Sequence, residues 1–392
     1  MESISASERQ EMISRIVGEA LHLELRDRYA MDAEVLARWR AGEREEVRES
    51  VRPWCDEVRA GVAAGKVYRR ASVVSEPLSE SLSQPSVVRR FLDLLDAHRF
   101  DRVLEVGTAQ GWTAALLAEG GLDVTTVEID AQMHGRAEEN LKAHGYSGVQ
   151  VVLGDGEKGH PQNAPYDCVH VTASASRVSY ALVEQTRPGG AIVLPLKLGF
   201  GFGALVRLTV LPGGTAVGVM HGSADFMLLR GQRPAQDRAG EWVRGQGAPA
   251  EVDVSATSVD PRRLRHCPVG ADVAIAAMVP GVVSRWFGDP EPTGEGTFWI
   301  LDARGPGHSW ASVDYVPGDS TYRVEQAGDR RLWDEVDAAY FRWVSWGSPS
   351  ISRLGLTVTP EGQEVWLDEP SRPFGREKDT TEPRGAVAVT GE

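Results

Sequence analysis

Apolar residues recur along this chain with two different periods, and the change of period divides it. From Ser7 to about Ala64, positions such as Ile13, Val17 and Leu21 return at helical spacing among Glu, Arg and Ala, which predicts amphipathic helices. Ser7-Glu-Arg-Gln10 opens this stretch with the form of a capping box, in which the serine and glutamine satisfy the first free N–H groups of a helix. Residues 1–75 are read as an N-terminal helical region with solvated charged faces. After Asp101 the pattern becomes short apolar runs alternating with helical stretches: "RVLEVG", "DVTTVEID", "GVQVVLGDG", "YDCVHVTAS" and "GGAIVLPL". Strand and helix in alternation predict parallel strands with crossover helices on both faces. The segment "ALVRLTVLPGGTAVGVM", with Pro212-Gly-Gly214 at its turn, reads as a hairpin that adds antiparallel strands at the sheet edge.

Gly, Pro, Ala and charge without a period then mark a linker at residues 235–251. Residues 252–374 carry predicted strands of their own, "DVAIAAMV", "GTFWILDA" and "SWASVDYV". They also carry a helix in "RRLWDEVDAAYFRWVSWG", with Leu332, Val336, Tyr340 and Trp343 on one face and Gly347 at its end. A closing hairpin, "LGLTVTPEGQEVWL", turns at Pro360-Glu-Gly362. Residues 375–392 hold too few bulky side chains to bury and read as a disordered tail. The expected organisation is an N-terminal helical region at 1–75, an α/β domain at 76–234, the linker, and an α+β domain at 252–374.

Composition narrows the class. The net charge of -14 opposes nucleic acid and anionic membranes as partners. Cys55, Cys168 and Cys267 are scattered without metal-type spacing, and the first residues are polar and acidic. No metal, no membrane and a reduced cytoplasmic location are the corresponding expectations.

The candidate chemistry lies where a strand breaks into Gly107-Thr-Ala-Gln-Gly111 and a helix follows. A glycine-rich turn of this kind lets backbone N–H groups and a helix N-terminus approach a nucleotide-like ligand. Glu128 closes the next strand 21 positions after Gly107, where a carboxylate can accept both hydroxyls of a ribose. Nicotinamide and sulfonium cofactors share that contact. Asp155 in "GDG" favours S-adenosyl-L-methionine, since a carboxylate and the N–H beside it can receive an adenine amino group and ring nitrogen. The alternative for Asp155-Gly156 is an ordinary turn. His160, His170 and His221 lack paired spacing and read as packing residues. Core packing is likewise the expectation for the tryptophans from Trp286 to Trp366, and burial for an inert Cys168.

These motifs, with "SLSQPSVV" (Ser81 to Val88) ahead of them and "LVEQTRPGGAIVLPL" (Leu182 to Leu196) after them, resemble the protein-L-isoaspartate O-methyltransferases over about Glu76 to Arg230. The resemblance implies a Rossmann-like fold that binds S-adenosyl-L-methionine and releases S-adenosyl-L-homocysteine. By position, Ser83 matches the family's active-site serine, and Ser81 and Ser83 lie where the cofactor's methionine end is contacted. Gly107, Gly111, Glu128, Asp155 and Gly156 match further cofactor contacts, Thr172 matches the position after the fourth strand, and Ala109 replaces the middle glycine of the usual motif.

Repair enzymes of that family end soon after the segment matching "FMLLRG", whereas this chain runs on to Glu392. The larger form is similar to members of lanthipeptide, lasso-peptide and graspetide pathways, which implies that the substrate is an aspartate of a modified, macrocyclic precursor peptide. The ester would close to aspartimide and hydrolyse to isoaspartate, Ser83 would aim the carboxylate or else cap a helix, and a monomer is expected. Two alternatives stand beside it: housekeeping repair of isoaspartate in damaged proteins, and a non-catalytic receptor that keeps the fold.

Overall fold

In the computed structural model, residues 85–233, 251–288 and 294–378 are described. The expected N-terminal helical region, most of the linker and the end of the tail lie outside them. Among the described residues the chain divides into two compact units. The first comprises residues 85–196, Gly203–Gly214 and His221–Arg233; the second comprises Lys197–Phe202, Thr215–Met220 and the chain after Pro234.

Near-continuous apolar runs build the first unit. Strands β1 (Arg102–Val106), β2 (Asp123–Glu128), β3 (Gln150–Leu153), β4 (Tyr166–Val171) and β5 (Thr186–Leu196) pair in parallel in the order β3-β2-β1-β4-β5. β6 (Ala204–Val210) adds antiparallel to β5. Val103, Leu104, Val106, Val169, Val171 and Ile192 are at most 1% exposed, as strands covered on both faces must be. Helix α1 (Pro85–Leu95) packs on β4 and β5, α2 (Trp112–Glu119) on β2, α3 (Ala131–Ala143) on β2 and β3, and α4 (Tyr180–Glu184) on β5. Chain order reverses between β1 and β4, so the crevice beyond the carboxyl ends of these strands is where an open α/β sheet receives a ligand.

The second unit is antiparallel. β8 (Asp253–Thr257), β9 (Val282–Gly288), β10 (Gly296–Asp302), β11 (Trp310–Tyr315) and β12 (Tyr322–Ala327) form a sheet in the order β8-β12-β11-β10-β9. Residues Ala216–Val219 of β7 (Ala216–Ser223) pair with β13 (Leu354–Thr359), which continues to β14 (Gly362–Leu367) and β15 (Pro373–Lys378). α5 (Pro261–Arg265) and α7 (Leu332–Ser345) cover β10 and β11, while α6 (Val269–Met278) packs against α7 and β15. α7 buries Leu332, Val336 and Trp343, half-buries Tyr340 and stops at Gly347, whose φ of 82° suits glycine.

The expected strand at "DVAIAAMV" is instead part of α6. Residues Gly270–Ala276 are all buried, Asp272 among them, so α6 is buried all round, is apolar apart from that carboxylate, and shows no amphipathic period. Its alanines, the strongest helix formers, set the backbone. β15 runs to Lys378, into the region expected to be disordered.

Candidate functional site

The glycine turn sits at the carboxyl end of β1, and its conformation explains its composition. Gly107 (φ 97°) and Gly111 (φ 88°) are left-handed, and a Cβ on Gly107 would lie 2.4 Å from Thr172 Oγ1. Gly111 is the N-cap of α2 and brings no side-chain cap, so the first N–H groups of α2 are left for other acceptors. Ala109 holds the middle position with φ 47° and donates its N–H to Glu128 Oε2 at 2.9 Å.

Glu128, at the end of β2, is 8% exposed, and its Oε1 accepts the Asp130 N–H at 2.9 Å. A carboxylate offers about four lone-pair sites. With one N–H on each oxygen, capacity remains for both hydroxyls of a ribose, and this donor set fits an adenosine-type cofactor. Gly154 N donates to Glu128 O at 2.8 Å and draws the end of β3 alongside. There Asp155 Oδ1 accepts the Glu157 N–H at 3.0 Å, the turn geometry read as its alternative, while Oδ2 has no hydrogen bond among the described residues. Gly156 is buried, and a Cβ on it would meet Val106 Cγ1 at 2.3 Å. Only glycine lets this backbone pass so close to β1.

From β4, the Thr172 hydroxyl lies 3.0 Å from the Val106 carbonyl oxygen and 2.6 Å from that of Gly107, bracing the turn from beneath. Gly107, Ala109, Gly111, Glu128, Asp155, Gly156 and Thr172 therefore share one rim. Ser81 and Ser83 lie outside the described residues.

Several rim residues carry no sequence signal of their own. Glu105, in the middle of β1, is fully buried; its Oε2 accepts from Thr126 Oγ1 at 2.6 Å, and that hydroxyl is 2.6 Å from Thr108 Oγ1 in the turn. Burial, with a smaller push from Glu128, raises the Glu105 carboxyl to about 8, so it is protonated at neutral pH. Arg230 Nη2 meets Asp130 Oδ2 at 3.0 Å, and Gln232 Nε2 donates to Glu157 Oε1 at 2.7 Å. These pairs are 100 and 75 positions apart in sequence.

The packing residues are placed as follows. His170 is 3% exposed, held down to about 4 by burial, and stacks edge-on to Phe91 with ring centroids 5.1 Å apart. His160 hydrogen-bonds through its backbone, N–H to Gln185 Oε1 and carbonyl from Tyr166 Oη. Burial lowers His221 and pushes the Cys168 thiol up to about 12, keeping it out of its nucleophilic form. Trp310, Trp333, Trp343 and Trp366 are core residues at 5% exposure or less. Among the described residues no helix is long and apolar enough to cross a membrane.

Residues 59–207 match the family model described as Protein-L-isoaspartate(D-aspartate) O-methyltransferase (PCMT), and residues 7–84 match one described as Domain of unknown function (DUF6879). The chain is similar to a Protein-L-isoaspartate O-methyltransferase of Gloeobacter violaceus, 36% identical over 182 residues that span 43% of this chain and 89% of that protein. Protein-L-isoaspartate O-methyltransferase 1 of Nitrosospira multiformis is 38% identical over 152 residues, 39% of this chain and 64% of the relative, so a little under two thirds of that relative is spanned. A solved structure described as a protein-L-isoaspartate O-methyltransferase aligns with TM-score 0.43 at 21% identity, over 75% of this chain and 85% of that one.

Proposed function

We propose, on the premise that this chain belongs to the protein-L-isoaspartate(D-aspartate) O-methyltransferase family, that it is an enzyme esterifying a side-chain carboxylate of a peptide or protein with the methyl group of S-adenosyl-L-methionine. The observation that carries this is the rim itself. A buried-edge glutamate with both oxygens already oriented by backbone N–H groups closes β2, beside a glycine turn and a glycine that passes flat against β1.

When bound, the cofactor supplies an electrophilic methyl group on a sulfonium. Glu128 would accept the ribose hydroxyls, Asp155 and the backbone at Gly156 would receive the adenine edge, and the Gly107–Gly111 turn would leave room for the remainder. A carboxylate with an ordinary pKa near about 4 is ionised at neutral pH, so the nucleophile needs no general base. The chain's contribution is alignment and exclusion of water. These residues would hold the donor so that one oxygen of the substrate carboxylate faces its methyl group. By the family resemblance, Ser83 would donate to the other oxygen and fix which one reacts, and Ser81 would contact the cofactor's methionine end.

For the substrate, the reading is an aspartate of a ribosomally made, macrocyclic precursor peptide. It rests on the chain beyond the matched segment, residues 208–392, and on the separate match at residues 7–84. The second unit, residues 252–374 above all, would recognise that peptide, and a monomer would suffice. Once esterified, the side-chain carbonyl is attacked by the next residue's backbone nitrogen. The amide proton leaves with methoxide as methanol, a five-membered aspartimide forms, and water opens it to aspartate or isoaspartate. Repair of isoaspartate in damaged proteins is a second reading, favoured by the similarity to protein-L-isoaspartate O-methyltransferases.

The test is methyl transfer followed by mass spectrometry on a generic isoaspartyl peptide, its aspartyl twin, and candidate precursor peptides in linear and cyclised form. Gain of a methyl group by a cyclised precursor alone, followed by loss of methanol and suppressed by Ser83→Ala, is the expected result. Methylation of the generic isoaspartyl peptide would assign repair instead. Cofactor binding with no turnover on any substrate would leave a receptor.

A further inference from the structure

Three of the rim residues assigned to the cofactor, Glu128, Asp155 and Thr172, are each followed two positions later by a residue tied to one short segment. Beyond Glu128 stands Asp130, which meets Arg230; beyond Asp155 stands Glu157, which meets Gln232; beyond Thr172 stands Ser174, which pairs with the backbone around Leu228. The segment from Leu228 to Arg233 thus meets residues beyond the carboxyl ends of β4, β2 and β3, in that order. It crosses the crevice between them.

Its attachments are unequal. On the β3 and β4 side, Gln232 is held through both ends of its amide. Nε2 donates to Glu157 Oε1 at 2.7 Å and to Arg177 O at 2.9 Å, while Oε1 accepts from Ser176 N at 2.7 Å, Ser176 Oγ at 3.0 Å and Arg177 N at 3.1 Å. Leu229 N donates to Ser174 O at 2.8 Å and Ser174 N to Met227 O at 2.9 Å. Gly231 passes so close to Glu157 that a Cβ there would lie 2.5 Å from Oε2. On the β2 side there is the Arg230–Asp130 ion pair at 3.0 Å, with the two side chains 53% and 36% exposed. Asp130 Oδ1 separately caps α3, accepting from Gln132 N and Met133 N, so its position is fixed independently of Arg230. Arg230 thus stands between two firmly bonded anchors, Leu229 and Gln232, and reaches β2 through its side chain by one exposed ion pair, which makes that side chain a latch.

We propose that Leu228–Arg233 is a strap across the cofactor crevice, anchored at Leu229 and Gln232 and latched onto the β2 side by the Arg230 side chain on Asp130, and that the latch sets how fast the demethylated cofactor leaves. Arg230 and Asp130 are positioning residues, and the inference rests on the reading of the crevice as the cofactor site. The Arg230 guanidinium also holds the Asp130 carboxyl below its ordinary range, so the pair stays ionised across the neutral region.

The experiment measures release of S-adenosyl-L-homocysteine from the full chain, from Arg230→Gln and from Asp130→Asn by surface plasmon resonance at low and high salt, with the unfolding temperature recorded for each. The asparagine of the second variant retains an oxygen to cap α3. Release from both variants should be roughly two- to five-fold faster at low salt, the range an exposed ion pair supports. Added salt should bring the wild-type rate up to theirs by screening the pair, with unfolding temperatures unchanged. Equal release from all three proteins at low salt would overturn the strap, and Arg230→Gln alone decides this if Asp130→Asn folds poorly. Failure of the wild-type chain to bind S-adenosyl-L-homocysteine would overturn the cofactor reading, and the strap's role with it; that result differs from equal rates because no binding signal is present.

Discussion

Replacing Glu105 by Gln should make the protein more stable, by an amount that grows with pH. The carboxyl is fully buried, and its Oε1 has no hydrogen-bond partner among the described residues. Its pKa stands at about 8 in the fold against 4.5 for the free group. The folded chain therefore holds a proton that the unfolded chain has released between these values. Linkage then makes stability fall as pH rises, fully present below pH 4.5 and spent by pH 8. At about 1.4 kcal/mol per pH unit, the loss is roughly 3 kcal/mol by pH 7 and about 5 kcal/mol in all. That is a large share of a stability of about 5–15 kcal/mol.

A glutamine at this position has nearly the same shape, stays neutral throughout, and keeps an oxygen to accept the Thr126 hydroxyl that in turn meets Thr108 in the glycine turn. Urea unfolding of both proteins at intervals from about pH 5 to pH 9, followed by circular dichroism, isolates the effect because every other titrating group cancels in the difference. The wild type should lose about 4 kcal/mol relative to Glu105→Gln between pH 5 and pH 8, with no further divergence above. Parallel curves would refute the reasoning, since they would mean that no proton is taken up at Glu105 on folding.

Three further perturbations follow from the same rim and its support. Glu128→Ala removes the acceptor for the Ala109 and Asp130 N–H groups and for the ribose; calorimetric titration with S-adenosyl-L-homocysteine should show affinity falling by about ten-fold or more, as charge-assisted hydrogen bonds require. Ala109→Gly relieves a left-handed alanine at φ 47° and should raise stability by about 0.5–1 kcal/mol after the entropy cost of glycine, seen as a higher denaturation midpoint. His170 is neutral in the fold, with its pKa lowered to about 4 against 6.5, so the unfolded chain takes up a proton first on acidification. Stability should be full above pH 6.5 and fall towards pH 4, and His170→Gln should flatten that acid limb in the same unfolding series.

The elements best read from sequence were those whose burial leaves a local trace. Strands covered on both faces must be apolar at nearly every position, and β1, β2, β4 and β5 stand out as short runs between turns. α7 shows its period because only one face packs: Leu332, Val336 and Trp343 are buried while Phe341 is 50% exposed. α6 fails the same test for the opposite reason. With Gly270–Ala276 wholly buried, its composition reads equally as a strand, and only alanine content separates the two. β8 fails from the other side, since Asp253–Ala256 are exposed on both faces and have no alternation to detect.

The same division runs through the candidate site. Gly107, Gly111 and Gly156 are legible because a tight approach excludes every side chain, and Glu128 because a strand end at that spacing from the turn is a local fact. Glu105 sits inside the apolar run "VLEVG", where its type alone says nothing about whether it is charged; the protonated state follows from the surrounding strands. Gln232 and Arg230 could not be found from sequence, because their partners lie 75 and 100 positions away and an exposed Arg or Gln after a strand has no distinctive pattern. Recognition of a cofactor is thus written in short motifs at strand ends, whereas its retention depends on pairs that only the folded sheet brings together. Variants at the motifs should weaken binding at equilibrium. Variants at Arg230 and Asp130 should change its rate constants while leaving the bound geometry intact, and that separation distinguishes the two layers of the site.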